Sequence, residues 1–195
     1  MKALITDFGG VLTSSFLGCL SAFDAAEGLP PGTLASAVAS DLGRDLERGA
    51  IGQREFEEKM AVRLGVAPEG LLARMAAALE PDEAMLAGLA RIRAAGVRVA
   101  ILSNSWGTGH FDPYRPFDVE GRADVVVISD QVRLRKPDPR IFELTVARLG
   151  VPATACVFVD DVKDYLVPAA RLGMTVVHHR DAAGTLAELD QLLDL

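Results

Sequence analysis

The chain has 195 residues, half of them hydrophobic and 24% charged, which suits one domain or a core that carries a small inserted subdomain. Its net charge of −7 argues against nucleic acid as a partner, because phosphate backbones select basic surfaces. No apolar run approaches the ~18 residues of a membrane span and no secretory leader is evident, so we expect a cytoplasmic protein without a membrane segment. The two cysteines allow one disulfide, but two reduced thiols suit such a protein better.

The first predicted element is a short buried strand, which begins with the apolar run at residues 3–5. Asp7 comes where this strand should end, and Gly9 and Gly10 follow, where the backbone can turn sharply and approach a ligand closely. Ligands of open α/β sheets bind at the carboxyl ends of strands, so Asp7 is well placed as a nucleophile or a metal ligand. A turn-capping role is the alternative, and this residue alone does not decide between them.

Residues 15–80 show helical patterns and no strand pattern, which predicts a small all-helical subdomain inserted after the first strand. The predicted helices cover residues 16–27, residues 31–42, a segment through Phe56, Met60 and Leu64, and residues 68–79. Leu42-Gly43 is expected to end the second helix, and a turn over residues 46–52 separates it from the third.

From residue 82 onward the pattern alternates between helix and strand. Four further strands are predicted, at residues 97–102, 125–128, 156–159 and 175–177. This alternation implies right-handed βαβ crossovers and a parallel sheet covered by helices on both faces. The predicted fold class is therefore α/β, with a core domain of residues 1–14 and 81–195 and a helical subdomain of residues 15–80.

Polar side chains occur where the later strands end. Ser103 and Asn104 follow the second strand, Asp160 and Asp161 follow the fourth, and Lys136 comes just before a helix between them. Each has an ordinary interpretation as a helix cap or a solvated charge. Together with the carboxylate after the first strand, they place nucleophile, hydroxyl, cation and acidic pair at one edge of one sheet.

Attack on a phosphate ester requires this combination of groups. A carboxylate can form an aspartyl-phosphate, which divides one difficult displacement into two easier ones. A lysine and Mg²⁺ neutralise the transferring phosphoryl group, while a hydroxyl and loop N–H groups hold its oxygens. Adjacent carboxylates need a cation between them to remain ionised, and Mg²⁺ prefers oxygen ligands.

The order of four motifs resembles that of the haloacid dehalogenase-like (HAD) superfamily. These motifs are Asp7-Phe8-Gly9-Gly10-Val11-Leu12, Leu102-Ser103-Asn104, Arg135-Lys136-Pro137-Asp138 and Phe158-Val159-Asp160-Asp161. The helical insertion resembles the small cap of the first HAD subfamily, so the resemblance covers nearly the whole chain. It implies a Rossmann-like core with the cap closing over the active site, and a Mg²⁺-dependent hydrolase, most simply a phosphatase.

The resemblance also implies the roles of individual residues. Asp7 would be the nucleophile, Ser103 the phosphate-binding hydroxyl and Lys136 the catalytic cation. Asp7, the main-chain carbonyl of Gly9 and Asp161 would bind Mg²⁺, with Asp160 supporting them. A small phosphorylated substrate would be held by Phe8, Gly9, Ser103, Asn104 and Lys136.

Two positions depart from the family pattern. Gly9 stands where HAD phosphatases usually carry a second Asp as general acid and base, a role that contributes typically ~10²–10⁴-fold. His110, in the loop after Ser103, is a candidate replacement, whereas the loop's aromatic residues are expected mainly to pack onto the core. Tyr165 stands where related sequences often have Asn or Asp, and Asp164 lies one residue away.

Two other functions remain open at this point. One is a carbon–halogen hydrolase that uses Asp7 on carbon, although that reaction has no use for the acidic pair Asp160-Asp161. The other is a catalytically weakened HAD-like protein that binds phosphorylated ligands or protein partners, against which the intact Asp7, Ser103 and Lys136 argue. Substrate identity and oligomeric state, monomer or homodimer, are left open.

Overall fold

The computed structural model describes residues 2–195, and its centre is a five-stranded parallel sheet. The strands are β1 (Ala3–Thr6), β2 (Arg98–Ser103), β3 (Val125–Ile128), β4 (Cys156–Asp160) and β5 (Thr175–His178). Their order across the sheet is β3-β2-β1-β4-β5, so β1 pairs with β2 on one side and β4 on the other. The order therefore reverses between β1 and β4, which is where open α/β sheets bind their ligands.

Helices from the second part of the chain cover both faces of this sheet. They are α6 (Glu83–Ala94), α7 (Val119–Arg122), α8 (Ser129–Val132), α9 (Pro139–Leu149), α10 (Lys163–Arg171) and α11 (Ala182–Leu193). Because successive strand side chains alternate between faces, Leu4 belongs to a buried cluster with α6 and α11, and Ile5 to a second cluster with α9 and α10. The five strands and their covering helices confirm the predicted α/β fold class.

The insertion contains five helices and no strand. These helices are α1 (Phe16–Ala26), α2 (Thr33–Val38), α3 (Asp41–Glu47), α4 (Gln53–Leu64) and α5 (Leu71–Met75). Apolar residues such as Phe23, Phe56 and Met60 form a third buried cluster, which the core joins through Trp106. This separate cluster supports our proposal that residues 15–80 are a cap subdomain.

Two predicted helices of the insertion were wrong in their bounds. Residues 31–42 contain one whole helix, α2, and the start of another, α3, with Ser40 in extended conformation between them. Gly43 lies within α3 and does not end a helix. A Cβ at this position would be 1.9 Å from the carbonyl oxygen of Val38, so the close contact requires glycine. That glycine permits a close approach of neighbouring backbone, whereas we had predicted that it ended a helix. The helix predicted over 68–79 is limited to α5, since the left-handed Gly70 precedes it.

Both cysteines are free and buried, in agreement with the prediction of two thiols. Within residues 2–195, no helix combines the length and the apolar character needed to cross a membrane.

Candidate active site

The carboxyl ends of β1 and β4 bring three acidic side chains together. Asp7 follows β1, Asp160 ends β4, and Asp161 comes next in the chain. Each offers one carboxylate oxygen to a group whose oxygens lie within 4.8 Å of one another. The strand register therefore places these residues as the sequence predicted.

Lys136 is fully buried between two of these carboxylates. Its Nζ lies 2.8 Å from Oδ1 of Asp7 and 2.6 Å from Oδ2 of Asp160. Burial alone lowers the pKa of Lys136, but the charges of Asp160 and Asp7 raise it above its ordinary value, so the amine stays protonated. An ammonium group has three N–H donors, and two of them are used here.

Asn104 holds the backbone of this lysine. Its Oδ1 accepts a hydrogen bond from the Lys136 N–H at 2.8 Å, and its Nδ2 donates to the Lys136 carbonyl at 3.1 Å. These contacts make Asn104 a positioning residue for Lys136. It also lines the cavity described below, so its predicted role in substrate binding stays a prediction.

The hydrogen bonds of Asp7 converge on one of its oxygens. Oδ1 accepts from the Phe8 N–H at 2.7 Å and contacts Lys136, which leaves Oδ2 as the available atom. Burial raises the pKa of Asp7 to about 7, although the charge of Lys136 opposes this shift. A further positive charge beside Oδ2 would favour the ionised form.

Asp160 and Asp161 differ although they are adjacent. Both Asp160 oxygens have partners, since Oδ2 contacts Lys136 and Oδ1 accepts from the Val162 N–H at 2.8 Å. Asp161 forms no salt bridge with any residue in 2–195. Burial and the charge of Asp160 raise the pKa of Asp161.

Gly10 permits the close approach of Asp161 to the first loop. Its φ is +79°, and a Cβ at this position would lie 2.5 Å from Oδ2 of Asp161. The available oxygens of Asp7 and Asp161 belong to a carboxylate cluster that suits Mg²⁺, and Gly9 lines the same cavity. The residues present therefore fit Mg²⁺.

Ser103 ends β2 and is buried beside the acidic group. Its Oγ accepts a hydrogen bond from the Tyr114 hydroxyl at 2.8 Å and donates its own proton to the Asn104 carbonyl at 3.3 Å. That donor could turn to a phosphoryl oxygen. Burial raises the pKa of Tyr114, so its phenol remains a donor. Tyr114 is one of the loop's aromatic residues, which the sequence predicts mainly to pack onto the core. The irregular loop provides no periodicity that could have indicated this contact.

Tyr165 connects the site to the insertion. Its hydroxyl accepts from Nδ2 of Asn104 at 3.3 Å and from Nη2 of Arg135 at 3.4 Å. Arg135 also pairs with Glu47 of α3 at 2.6 Å, and both side chains are mostly buried. Residues 47 and 135 are too far apart in sequence for any local pattern to reveal this pair.

His110 does not lie at the cavity above Asp7, as the search for a replacement acid had suggested. Its Nε2 lies 2.8 Å from Oε2 of Glu57 on α4, and it is absent from the cavity wall among residues 2–195. The interpretation of His110 as the proton donor is therefore wrong. The loop packs that histidine against the insertion and away from the nucleophile.

A cavity of about 390 Å³ lies over Asp7, Gly9 and Ser103. Gly9 itself has no positive φ, and a Cβ added there would meet only Phe16, at 4.0 Å. Its backbone therefore does not require glycine. The cavity extends from the sheet edge to residues of the insertion and provides room for a small substrate.

The chain thus combines a parallel sheet, an acidic cluster at the carboxyl ends of its strands and a set of inserted helices. The chain matches the haloacid dehalogenase-like hydrolase family model over residues 1–172 and belongs to that family. This match confirms the predicted family.

Curated relatives differ in how much of their length the chain covers. It is 28% identical to mouse acyl-CoA dehydrogenase family member 10 over 98% of this chain but spans only 19% of that protein. It is 26% identical to a sesquiterpene phosphatase of Aspergillus oryzae, over 98% of this chain and 96% of the relative. A phosphorylated carbohydrates phosphatase of Thermotoga maritima is 29% identical over 50% of this chain and 47% of its own.

Solved structures show the same fold at lower identity. A HAD family enzyme of Bacteroides thetaiotaomicron, crystallised with magnesium and inorganic phosphate, superposes with a TM-score of 0.71 at 23% identity and covers 92% of this chain and 94% of its own. A HAD-like hydrolase of Porphyromonas gingivalis has a TM-score of 0.78 at 20% identity, with coverage of 100% and 98%.

Proposed function

We propose that the protein is a Mg²⁺-dependent phosphatase that acts on a small phosphorylated substrate through an aspartyl-phosphate on Asp7. The carrying observation is the geometry of Asp7, whose Oδ1 is held by Lys136 while its Oδ2 is available beside Asp161. A nucleophile needs one free oxygen in a fixed orientation, and this arrangement supplies it.

In the first step, Oδ2 of Asp7 attacks phosphorus and the bond to the leaving oxygen breaks in line with it. The positive charge of Lys136, which contacts the attacking carboxylate from beneath the cavity, would stabilise the charge that develops during this transfer. The Ser103 hydroxyl would exchange its bond to the Asn104 carbonyl for one to a phosphoryl oxygen. Mg²⁺ held by Asp7, Asp161 and the Gly9 carbonyl would supply further neutralisation of phosphoryl charge when bound. Water then hydrolyses the aspartyl-phosphate and releases inorganic phosphate.

Asp160 has a supporting role in this scheme. It shares the Lys136 ammonium with Asp7 and accepts the Val162 N–H, so it fixes the lysine and the turn that carries Asp161. Phe8 contributes its backbone N–H to the Asp7 carboxylate. These contacts place both residues around the nucleophile, where they orient the groups that react.

Two relatives carry phosphatase names, which supports phosphate-ester hydrolysis over the alternatives. The names refer to a sesquiterpene and to phosphorylated carbohydrates, which leaves the substrate of this chain undecided. A carbon–halogen hydrolase would have no use for the unpaired Asp161 carboxylate, and a binding protein would have no use for a fixed nucleophile.

The proposal is tested by phosphate release from phenyl phosphate and acetyl phosphate, with Mg²⁺ or with EDTA. We expect Mg²⁺-dependent turnover, and a BeF₃⁻ adduct that forms on the wild-type protein but not on Asp7→Asn. The matched control is Asp164→Asn, an exposed acid near the site that does not line the cavity, which should keep its activity. Turnover that survives EDTA, or full activity of Asp7→Asn, would contradict the proposal.

A further inference from the structure

We propose that the substrate is a phosphate monoester whose leaving group is an apolar hydrocarbon without a second charge. This inference rests on the proposed phosphatase function and adds the chemistry of the part of the substrate that departs. It follows from how polar and apolar residues are distributed around the cavity over Asp7.

The reacting groups occupy one side of the cavity. Asp7, Ser103 and Asp161 all come from the ends of parallel strands and lie at the sheet edge. The attacking and leaving oxygens are roughly in line in phosphoryl transfer. The leaving group must therefore point away from Asp7, into the part of the cavity that the sheet edge does not form.

That part of the cavity is mainly hydrocarbon. The insertion and two loops of the core contribute its apolar side chains: Phe16, Leu17, Ala76, Leu79, Trp106 and Val162. The rings of Phe16 and Trp106 contact each other at a centroid distance of 5.1 Å, so the insertion and the core form one continuous apolar wall. Burial of a ligand's apolar groups against such a surface makes the free energy of binding more favourable.

Charged groups that could bind a polar leaving group are missing from this wall. Within residues 2–195, no lysine, arginine or histidine side chain lines the cavity. Glu47 is the charged residue that the insertion contributes, and Arg135 already pairs with it at 2.6 Å. A second phosphate or a carboxylate on the substrate would find no cation there.

The other polar groups of the wall already have protein partners. Asn104 is bound to the Lys136 backbone, the Tyr114 hydroxyl donates to Ser103, and Ser105 Oγ accepts from the Gly107 N–H at 2.9 Å. Sugar hydroxyls placed here would replace few of the hydrogen bonds to water that they lose. The free energy lost with those hydrogen bonds exceeds the free energy gained from apolar contact, so the wall discriminates against polyol phosphates.

The apolar surface continues to the opening of the cavity. Leu17 of α1 is 67% exposed and Val162 is 39% exposed, and both line the cavity. Single exposed apolar residues are common, but these two come from the insertion and the core and line one cavity. An apolar chain longer than the cavity could extend between them.

The test compares esters that differ only in the tail of the leaving group. Phenyl, 4-ethylphenyl and 4-butylphenyl phosphate have leaving phenols of similar acidity, and O-phosphotyrosine carries a charged tail on the same phenol. With Mg²⁺, we expect kcat/KM to rise about fourfold per buried methylene, and at least tenfold from phenyl to 4-butylphenyl phosphate. O-phosphotyrosine should be no better than phenyl phosphate.

A substitution of one apolar residue of the wall distinguishes binding of the leaving group from the phosphoryl-transfer step. Leu17→Asn should lower kcat/KM for 4-butylphenyl phosphate several-fold more than for phenyl phosphate. The matched control is Val62→Asn, because Val62 is also an apolar residue of the insertion, is 85% exposed and does not line the cavity. This control should change neither value.

The outcomes distinguish this inference from the function on which it rests. Mg²⁺-dependent hydrolysis of phenyl phosphate with a gain below tenfold along the series would overturn the apolar leaving group alone. Faster turnover of O-phosphotyrosine than of phenyl phosphate would do the same. Absence of Mg²⁺-dependent hydrolysis for every ester would overturn the phosphatase proposal and this inference with it.

Discussion

The two sides of the candidate active site are built from opposite kinds of residue. At the sheet edge, Asp7, Lys136 and Asp160 are buried charges that hold one another at 2.6 to 2.8 Å. On the side formed with the insertion, Phe16 and Leu79 present hydrocarbon that makes no directional contact with a ligand. The chemistry therefore depends on a few contacts of fixed geometry. The choice of substrate depends on the apolar area that a ligand buries against the cavity.

This difference predicts different responses to substitution. Removal of one buried charge leaves its partner uncompensated, which typically costs about 3–5 kcal/mol. Removal of one apolar contact reduces burial gradually, by about 0.8 kcal/mol per methylene. A single substitution at the sheet edge should thus abolish most of the activity. A single substitution on the insertion should leave activity and change the preference among substrates.

The largest expected effect comes from Lys136→Met, which leaves two carboxylates facing each other without a cation. We expect a loss of activity of about 10⁴-fold or more and destabilisation of about 3–5 kcal/mol, measured by urea unfolding in EDTA. The double variant Lys136→Met/Asp160→Asn removes one of the unpaired charges and should recover part of the stability but not the activity. Wild-type stability of the single variant would show that the buried charges do not depend on one another.

The next effect is that of Asp161→Asn on Mg²⁺ activation. The substitution removes a charged ligand but no salt bridge, so we expect the Mg²⁺ concentration for half-activation to rise about 100-fold. Because burial and the charge of Asp160 raise the pKa of Asp161, the variant should be at least as stable as the wild type in EDTA. The measurement is phosphate release as a function of Mg²⁺ concentration, with Asp164→Asn as control. An unchanged Mg²⁺ requirement would remove Asp161 from the metal site.

A smaller effect is expected when an acid is introduced between the two sides of the cavity. Without an acid at Gly9, the leaving oxygen departs largely unprotonated, so alkyl phosphates should react more slowly than aryl phosphates. Gly9→Asp should raise kcat/KM for alkyl esters by about 10- to 100-fold and for aryl esters less, because only strongly basic leaving groups need the proton. The added side chain has room beside Phe16.

The control for this substitution is Gly9→Asn, which has the same shape without the acid. The measurement is kcat/KM against leaving-group pKa for all three proteins, and the slope should flatten only in Gly9→Asp. A flat wild-type profile would mean that another group already donates the proton. Glu47 would then be the first residue to replace, since it lines the cavity and burial raises its pKa despite its pair with Arg135.

The smallest expected effect is on the pH dependence of stability in Asp7→Asn. The pKa of Asp7 is about 7 in the folded protein against an ordinary 3.8, so folding retains a proton that the unfolded chain releases. Wild-type stability therefore falls as pH rises from about 4 to 7, and the Asn variant lacks this loss. In EDTA, the variant's stability relative to wild type should increase over that range by at least about 1 kcal/mol. A constant difference would contradict the raised pKa.

The strands and the catalytic edge could be predicted from sequence because their signals are local. Each strand is a short apolar run, and each polar residue predicted for the site follows such a run or comes shortly before a helix. Parallel pairing then brings the strand ends together, whichever residues lie between them. The sequence therefore predicts that four residues lie at one edge of the sheet: Asp7, Ser103, Asp160 and Asp161.

The bounds of the short helices could not be predicted because the same residue type serves two purposes. Gly43 reads as a helix stop, but in the fold it allows the Val38 carbonyl to approach α3. His110 has the chemistry of a proton donor, but its loop turns it toward Glu57. Both outcomes depend on packing between segments that are far apart in sequence.

From the sequence alone, the hydrophobic periodicity and the residues at strand ends determined the sheet and the group of reactive side chains, and the resemblance of four motifs indicated the family. Only the tertiary structure decided which apolar residues line a cavity, because Phe16, Leu79 and Val162 have the same pattern as residues of the core. Whether such a side chain contacts a neighbour or an open space depends on how the insertion sits against the sheet. The hydrocarbon wall over Asp7 results from the packing of the insertion against the core.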